Sequence, residues 1–147
     1  MWTQEGIDST EMTPMPGKSF IDTNIIIYAL GQTSAKAHLA APLFVGSPSI
    51  STQVLSETSN VASKRLALPA VEIRKLITTL ASMCRVEIIS MLTIHIALDI
   101  LERYGFSWYD SLIVATALEA GCDTLYSEDM QNGQLIEGRL RIINPFV

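Results

Sequence analysis

The sequence contains only two cysteines, Cys84 and Cys122, among its 147 residues. Both lie in apolar stretches, and neither belongs to a CxxC pair or has a histidine at metal-ligand spacing. This scarcity argues against a disulfide framework, which small secreted domains use to supplement a limited core. We therefore expect two buried free thiols in a protein of a reducing compartment.

The sequence also lacks an apolar run of the 18 or so residues that span a bilayer, because polar residues such as Asp22 and Asn24 interrupt each candidate. Residues 1–17 are polar and contain Pro14 and Pro16, without the basic start and apolar stretch of a signal peptide. We expect a cytoplasmic protein that makes no membrane contact. Residues 1–17 are predicted to be a disordered lead before one domain at 18–147.

Basic residues and histidines are sparse in the second half of the chain. No lysine follows Lys75, and the net charge is −5. Any basic surface for a polyanion is therefore discontinuous or shared between subunits. The only histidines, His38 and His95, lie far in sequence from the acidic motifs, which disfavours acid–base catalysis by a histidine pair.

Apolar residues, in contrast, are abundant. Hydrophobic residues make up 48% of the chain and charged residues 17%. A chain of this length forms one domain with a substantial core. The excess of apolar residues favours a partner interface, and we expect a homodimer.

Short strand patterns alternate with longer helical patterns from Lys18 onward. The predicted strands are 19–21, 49–51, 85–89, 124–126 and 140–143, and the predicted helices are 24–30, 35–44, 53–63, a helix whose first turn holds Pro69, 93–104 and 109–120. Strands separated by helices predict a parallel sheet covered on both faces, a three-layer α/β/α fold. The last of these helices is apolar nearly all round, so it is predicted to be central.

Four acidic residues occupy the motifs FIDTN, VLSET, WYDSL and YSEDM: Asp22, Glu57, Asp110 and Asp129. Sites in open parallel sheets form outside the carboxyl ends of strands, and Asp22 and Asp129 follow strands closely. Carboxylates gathered without a cation repel one another unless Mg²⁺ or Mn²⁺ neutralises them. Two divalent ions would add four positive charges to the net charge of −5 and attract phosphate locally. A metal-dependent hydrolase is therefore the first hypothesis.

Each acid also fits a structural role when it is considered alone. Asp22 can cap a helix, Asp110 is favoured by a helix dipole, and Asp129 suits a turn. Glu57 and Glu128 fit solvent-facing positions. The occurrence of all four motifs in one domain is what favours a shared site.

Three other functions are less consistent with the motifs. A Mg²⁺-dependent phosphoacceptor domain needs an adjacent acidic pair after its first strand and a lysine after a late strand. An aspartyl phosphatase needs D-x-D, and Asn24 stands at the second acid. A non-catalytic RNA- or protein-binding module remains an alternative, although such a module would be expected to lose one or more acids.

The segments FIDTNIIIYAL, STQVLSE, WYDSLIVATALEAGCDTLYSEDM and LRIINPF resemble a PIN-domain ribonuclease, in particular the VapC-type toxin of a bacterial toxin–antitoxin pair. The resemblance runs from about Lys18 to Val147. It implies that Asp22, Glu57, Asp110 and Asp129 are the catalytic metal ligands, with support from the polar residues Asn24 and Ser127. Thr58 stands where the family commonly has an aromatic residue, and 34–41 carries fewer acids than is usual.

The resemblance implies an endoribonuclease that uses two divalent ions, Mg²⁺ or Mn²⁺, to hydrolyse RNA and leave a 3′-hydroxyl and a 5′-phosphate. Asp22 is the predicted shared ligand because it ends a strand. The implied partners are an RNA substrate and a cognate antitoxin whose arginine approaches the carboxylates. The target RNA, the cleavage position and the preferred metal do not follow from the sequence.

Overall fold

The computed structural model describes residues 18–31 and 34–147, so the predicted disordered lead at 1–17 lies outside the described residues. Within them, six strands form one sheet: β1 (Ser19–Ile21), β2 (Ser49–Ser51), β3 (Arg85–Glu87), β4 (Thr124–Tyr126), β5 (Leu135–Ile136) and β6 (Leu140–Ile143). The α-helices are α1 (Thr23–Leu30), α2 (Ala35–Ala40), α3 (Thr52–Lys64), α4 (Ala70–Met83), α5 (Met91–Tyr104) and α6 (Trp108–Glu119), and a 3₁₀ turn at Ala41–Phe44 follows α2.

The strand order in the sheet is β3-β2-β1-β4-β6-β5. All neighbours pair in parallel except β5 and β6, which form an antiparallel hairpin at one edge. The predicted three-layer α/β/α fold is confirmed, with β5 as an antiparallel addition. The strand β5 was missed by the sequence analysis because it contains only two residues, too few to show an alternating pattern.

The core lies along the central strands, whose side chains are buried on both faces of the sheet. Phe20 and Ile21 of β1, Ile50 of β2, Leu125 of β4 and Ile142 of β6 are fully buried. In β1 the successive residues Phe20 and Ile21 face opposite sides of the sheet and both are buried, as expected for a strand covered on both faces. This packing fixes the strand ends from which the polar site projects.

Helix α6 is the central helix, as its apolar sequence predicted. Residues 111–118 are buried without exception. The helix begins after Ser107, whose hydroxyl accepts a hydrogen bond from the Asp110 backbone N–H, and it ends before Gly121, which has a φ of 76°. Because both ends are fixed by capping residues, the first turn of α6 has a defined position beside the sheet.

The predicted starts of α1, α3, α5 and α6 lie one or two residues after the observed starts, and for two of these helices the capping residue also differs. Helix α5 begins at Met91 rather than Thr93, because Ser90 is the cap and Thr93 completes a capping box with it. Helix α3 is capped by Ser51 rather than Thr52. Neighbouring hydroxyl residues are equally able to cap, so the sequence alone did not select the correct one.

The chain order of the strands creates a crevice beside β1. From β1 the chain moves to β2 and β3 on one side, and it later returns to β4, β6 and β5 on the other side. Such a reversal leaves an opening at the carboxyl ends of the two central strands, where ligands bind in open α/β sheets. Asp22 follows β1 directly, and its backbone N–H extends the ladder to the Tyr126 carbonyl at 3.0 Å.

Candidate functional site

An acidic cavity of about 610 Å³ lies in this crevice, and all four predicted acids line it. Asp22 after the end of β1 and helices α1, α3 and α6 contribute to its wall, together with the loop after β4. The lining residues are Asp22, Thr23, Asn24, Gln53, Ser56, Glu57, Asn60, Val61, Tyr109, Asp110, Ile113 and Asp129. Residues more than 100 positions apart in the sequence therefore face one space.

Asp22 is the buried acid of the cavity, with 5% of its surface exposed. One carboxylate oxygen accepts a hydrogen bond from the Thr23 backbone N–H at 2.7 Å, and the other accepts one from the Ser127 hydroxyl at 2.8 Å. Burial raises the pKa of Asp22 from 3.8 to about 7, and the charges of Asp110 and Asp129 add to this effect while the two hydrogen bonds oppose it. Within the described residues, no basic side chain offsets the charge of this carboxylate.

Asp129 is held by the two polar residues that were predicted to support the site. The Asn24 amide donates to the Asp129 carboxylate at 2.9 Å, and the Asp129 backbone N–H donates to the Ser127 hydroxyl at 3.2 Å. Ser127 therefore contacts Asp22 and Asp129 together. These contacts fix the spacing between the end of β1 and the loop after β4.

Glu57 reaches the cavity from the second turn of α3. The Thr23 hydroxyl donates to one Glu57 oxygen at 2.7 Å, and the Gln53 amide approaches the other at 3.5 Å. Thr23 and Gln53 were not among the residues singled out from the sequence. Gln53 lies four residues before Glu57, so helical spacing would have indicated that they share a face.

Asp110 is half-buried in the first turn of α6. Its pKa is raised, first by burial and then by the charges of Asp129 and Glu57, while a hydrogen bond with Ser107 opposes the shift. The adjacent Tyr109 is 61% exposed on the cavity wall, and its carbonyl accepts a hydrogen bond from Gln53 at 3.3 Å. Trp108 instead packs on a small cluster between α5 and α6. The two neighbouring aromatics thus occupy different environments.

The donor set of the cavity suits a hard divalent cation. The lining contains carboxylate, amide and hydroxyl oxygens, and no basic side chain from 18–31 or 34–147 is among them. The Gln53 side-chain oxygen is buried without a hydrogen-bond partner. In the described part of the chain no three acidic, histidine or cysteine side chains converge tightly enough to hold one ion as they stand. The carboxylates surround the cavity rather than meeting at one point.

Several features outside the cavity were also predicted from the sequence. Glu128, expected to point to solvent, is instead bound by Tyr28 and Lys36. Cys84 and Cys122 are buried free thiols, as expected. His38 and His95 are exposed and lie outside the cavity lining. Across the described segments, no helix is both long and apolar enough to cross a bilayer.

The fold and the cavity define an α/β protein with an acidic site at the carboxyl ends of its central strands. Residues 19–131 match the family model described as the PIN domain. The chain belongs to this family. No protein among those with curated functions matches the sequence.

Several solved structures share the fold at low sequence identity. A toxin–antitoxin complex from Klebsiella pneumoniae is 21% identical, with a TM-score of 0.68 over 87% of this chain and 98% of that one. The Mycobacterium tuberculosis toxin VapC20, described as cleaving the sarcin–ricin loop, is 20% identical, with a TM-score of 0.64 over 83% and 99%. A DNA-bound VapBC from Salmonella typhimurium is 22% identical, with a TM-score of 0.64 over 86% and 97%.

Proposed function

We propose that this protein is an endoribonuclease that depends on Mg²⁺ or Mn²⁺ and hydrolyses RNA phosphodiesters to leave 5′-phosphates and 3′-hydroxyls. The observation that carries the proposal is the cavity itself, which Asp22, Glu57, Asp110 and Asp129 line together and to which no basic side chain of residues 18–31 or 34–147 contributes. A divalent cation would neutralise these carboxylates and make the cavity attractive to a phosphodiester.

The four carboxylates are the proposed ligands, with Asp22 shared between two ions. Bound divalent ions supply activation of water and stabilisation of charge on the phosphate oxygens. The side chains of Thr23, Asn24 and Ser127 hold three of the ligands by hydrogen bonds of 2.7 to 2.9 Å. Because these hydrogen bonds already restrain three of the ligands, less ordering is needed when the carboxylates close on a cation.

A route through the RNA 2′-hydroxyl is less consistent with the cavity. That route needs a general base and a general acid that titrate near neutral pH, and histidine pairs commonly fill these roles. Neither His38 nor His95 is among the lining residues. The acids of the cavity are better suited to bind cations than to replace both histidines.

We also propose that the protein is the toxin of a type II toxin–antitoxin pair in the cytoplasm and forms a homodimer. The support is the PIN domain and the fold shared with proteins described as toxin–antitoxin complexes. An antitoxin arginine entering the acidic cavity would form charge-assisted hydrogen bonds with the carboxylates. Inducing the wild type should arrest bacterial growth, whereas Asp22→Asn should not.

Cleavage of RNA by the purified, antitoxin-free protein tests the proposed activity. Labelled total tRNA and structured RNAs are incubated with Mg²⁺ or Mn²⁺, and EDTA and Asp22→Asn serve as inactive controls. Asp123→Asn removes the same charge at an exposed site outside the cavity and should retain activity. Discrete fragments with 5′-phosphates are expected. RNA that stays intact in both metals, with no rise in Tm on metal addition, would overturn the proposal and favour the non-catalytic binding module.

A further inference from the structure

Glu128 lies between Ser127 and Asp129 in the loop that follows β4, and its side chain turns away from the acidic cavity. The Tyr28 hydroxyl donates to one Glu128 oxygen at 2.7 Å, and the Lys36 ammonium binds the other oxygen. Lys36 also approaches the Tyr28 hydroxyl at 3.2 Å. Tyr28, Lys36 and Glu128 thus form a closed triangle, which is here called the Glu128 clamp.

Aromatic contacts support the Glu128 clamp from outside. The rings of Tyr28 and Phe146 meet edge to face with centroids 5.1 Å apart. The Lys36 ammonium lies 4.5 Å from the Tyr28 centroid and 5.2 Å from the Phe146 centroid. Cation–π contacts and the T-shaped pair restrict the side chains that hold Glu128. The clamp therefore joins α1, α2 and the carboxyl-terminal segment to one loop.

The loop is tied at three successive residues, and the clamp is the middle tie. The Ser127 hydroxyl donates to Asp22. Asn24 makes two contacts to the loop: its side-chain nitrogen donates to the Asp129 carboxylate, and its side-chain oxygen accepts from the Glu128 backbone N–H at 3.2 Å. Asp129 itself is exposed, and among the described residues the Asn24 amide is the one hydrogen-bond partner of its carboxylate. Its position therefore depends on how firmly the backbone of the loop is held.

We propose that Tyr28 and Lys36 are positioning residues that act through Glu128 to hold Asp129 at the cavity, and that the Glu128 clamp thereby sets the affinity of the cavity for a divalent cation. This inference rests on the proposed metal-dependent function. The Lys36–Glu128 ion pair is partly exposed, and such a pair contributes little to global stability because water and salt screen it. Its main effect is local, since a loop ordered in advance loses less conformational entropy when the cation binds.

Mn²⁺ titration by calorimetry, combined with steady-state cleavage, tests the clamp. Lys36→Met and Tyr28→Phe should each weaken Mn²⁺ binding by roughly tenfold, at the lower end of what outer partners of metal ligands contribute. Cleavage at low Mn²⁺ should fall and should recover at saturating Mn²⁺, with the KM for RNA unchanged. Lys36→Arg retains the charge and should restore most of the affinity.

The chain offers a matched control at a distance from the cavity. Arg103 and Tyr104 bind Glu137 at 2.5 and 2.8 Å, which reproduces the same combination of a cation, a tyrosine hydroxyl and a glutamate. Arg103→Met and Tyr104→Phe should therefore cost similar small amounts of stability without changing Mn²⁺ affinity.

Two outcomes would overturn the inference in different ways. If the wild type binds Mn²⁺ and Lys36→Met binds it equally well, or if Arg103→Met weakens binding as much, the clamp has no positioning role while the metal site stands. If the wild type binds no Mn²⁺, the proposed metal site fails and the inference fails with it.

Discussion

Asp22 is the buried acid of the cavity, and its burial has a cost in stability. The carboxylate is buried at the end of β1, and two hydrogen bonds offset only part of its lost hydration. A raised pKa in the folded state means that the folded protein retains a proton that the unfolded chain releases. The feature that makes Asp22 a good cation ligand is therefore also a source of instability.

Asp22→Asn should stabilise the metal-free protein at pH 8. The Asp22 pKa is about 7 when folded and 3.8 ordinarily, so stability falls as pH rises through this window and the loss is complete above it. The full effect is at most about 4 kcal/mol, and a gain of about 1 to 3 kcal/mol is expected because the amide disturbs one hydrogen bond. Thermal unfolding of both proteins from pH 4 to 8 measures it. A variant that is less stable than wild type at pH 8 would contradict the prediction.

Ser127→Ala should destabilise the protein and weaken cation binding. The fully buried hydroxyl donates to Asp22 and accepts from the Asp129 backbone N–H. Its removal takes one of two hydrogen bonds from the buried Asp22 carboxylate and the acceptor from the Asp129 N–H, which should cost about 1 to 3 kcal/mol. Urea denaturation measures the loss, with Ser56→Ala, an exposed residue of the same cavity, as the control. An unchanged denaturation midpoint for Ser127→Ala would show that the contact has no energetic value.

At the scale of elements, the β1–α1 segment organises the site. Asp22 caps α1, and the next two residues hold Glu57 and Asp129. The motif FIDTN thus provides one acid and aligns two others. This explains why three consecutive polar residues follow the buried apolar pair Phe20 and Ile21 of β1.

Close packing of α5 on α6 holds the first turn of α6, which carries Asp110. Ala97 and Ala115 are fully buried in this contact, where small side chains allow the helices to approach. Ala97→Leu should therefore destabilise the protein by about 1 to 3 kcal/mol through overpacking. Leu98→Ala, on the exposed side of α5, should change stability by less than about 0.5 kcal/mol. Equal effects of the two changes in chemical denaturation would contradict this packing.

Features with a local sequence pattern were predictable, whereas contacts between distant polar residues were not. The helical pattern of α6 and the buried strands were predictable because burial demands apolar residues in sequence. The ion pair of Glu128 with Lys36 was not predictable, because Lys36 lies 92 residues earlier in the sequence and only the fold brings the two side chains together. Long-range pairing of polar side chains has no local signature. For the same reason, the four acids could be proposed from their motifs but their common cavity required the structure.

At the scale of the whole molecule, the proposed function requires a protein with a net negative charge to bind RNA, which is also negatively charged. The net charge is −5, and none of the residues that line the cavity is basic. RNA affinity should therefore depend on divalent cations more than on monovalent salt. Binding of a non-cleavable RNA measured by fluorescence anisotropy should fall sharply when EDTA is added. Affinity that persists in EDTA would indicate a binding surface elsewhere.

Tyr109 supplies the exposed aromatic surface beside the acids. Tyr109 is 61% exposed and lines the cavity, a position suited to stacking of its ring on an unpaired base of the substrate. Tyr109→Ala should raise the KM for RNA about 5- to 100-fold, corresponding to about 1 to 3 kcal/mol of lost stacking. Tyr109→Phe preserves the ring and should leave the KM unchanged. If Tyr109→Ala instead alters the mass in solution measured by light scattering, the ring belongs to a subunit interface.

The most direct test of the central claim is anomalous diffraction from crystals of the protein soaked in Mn²⁺. The account predicts anomalous peaks inside the acidic cavity, at about 2.2 Å from carboxylate oxygens, as is usual for Mn²⁺ bound to oxygen. Asp22 should contribute to each peak, and the peaks should be absent from Asp22→Asn crystals. Ordered protein with an empty cavity at saturating Mn²⁺, or peaks confined to surface acids, would contradict the claim that these four carboxylates form a metal site.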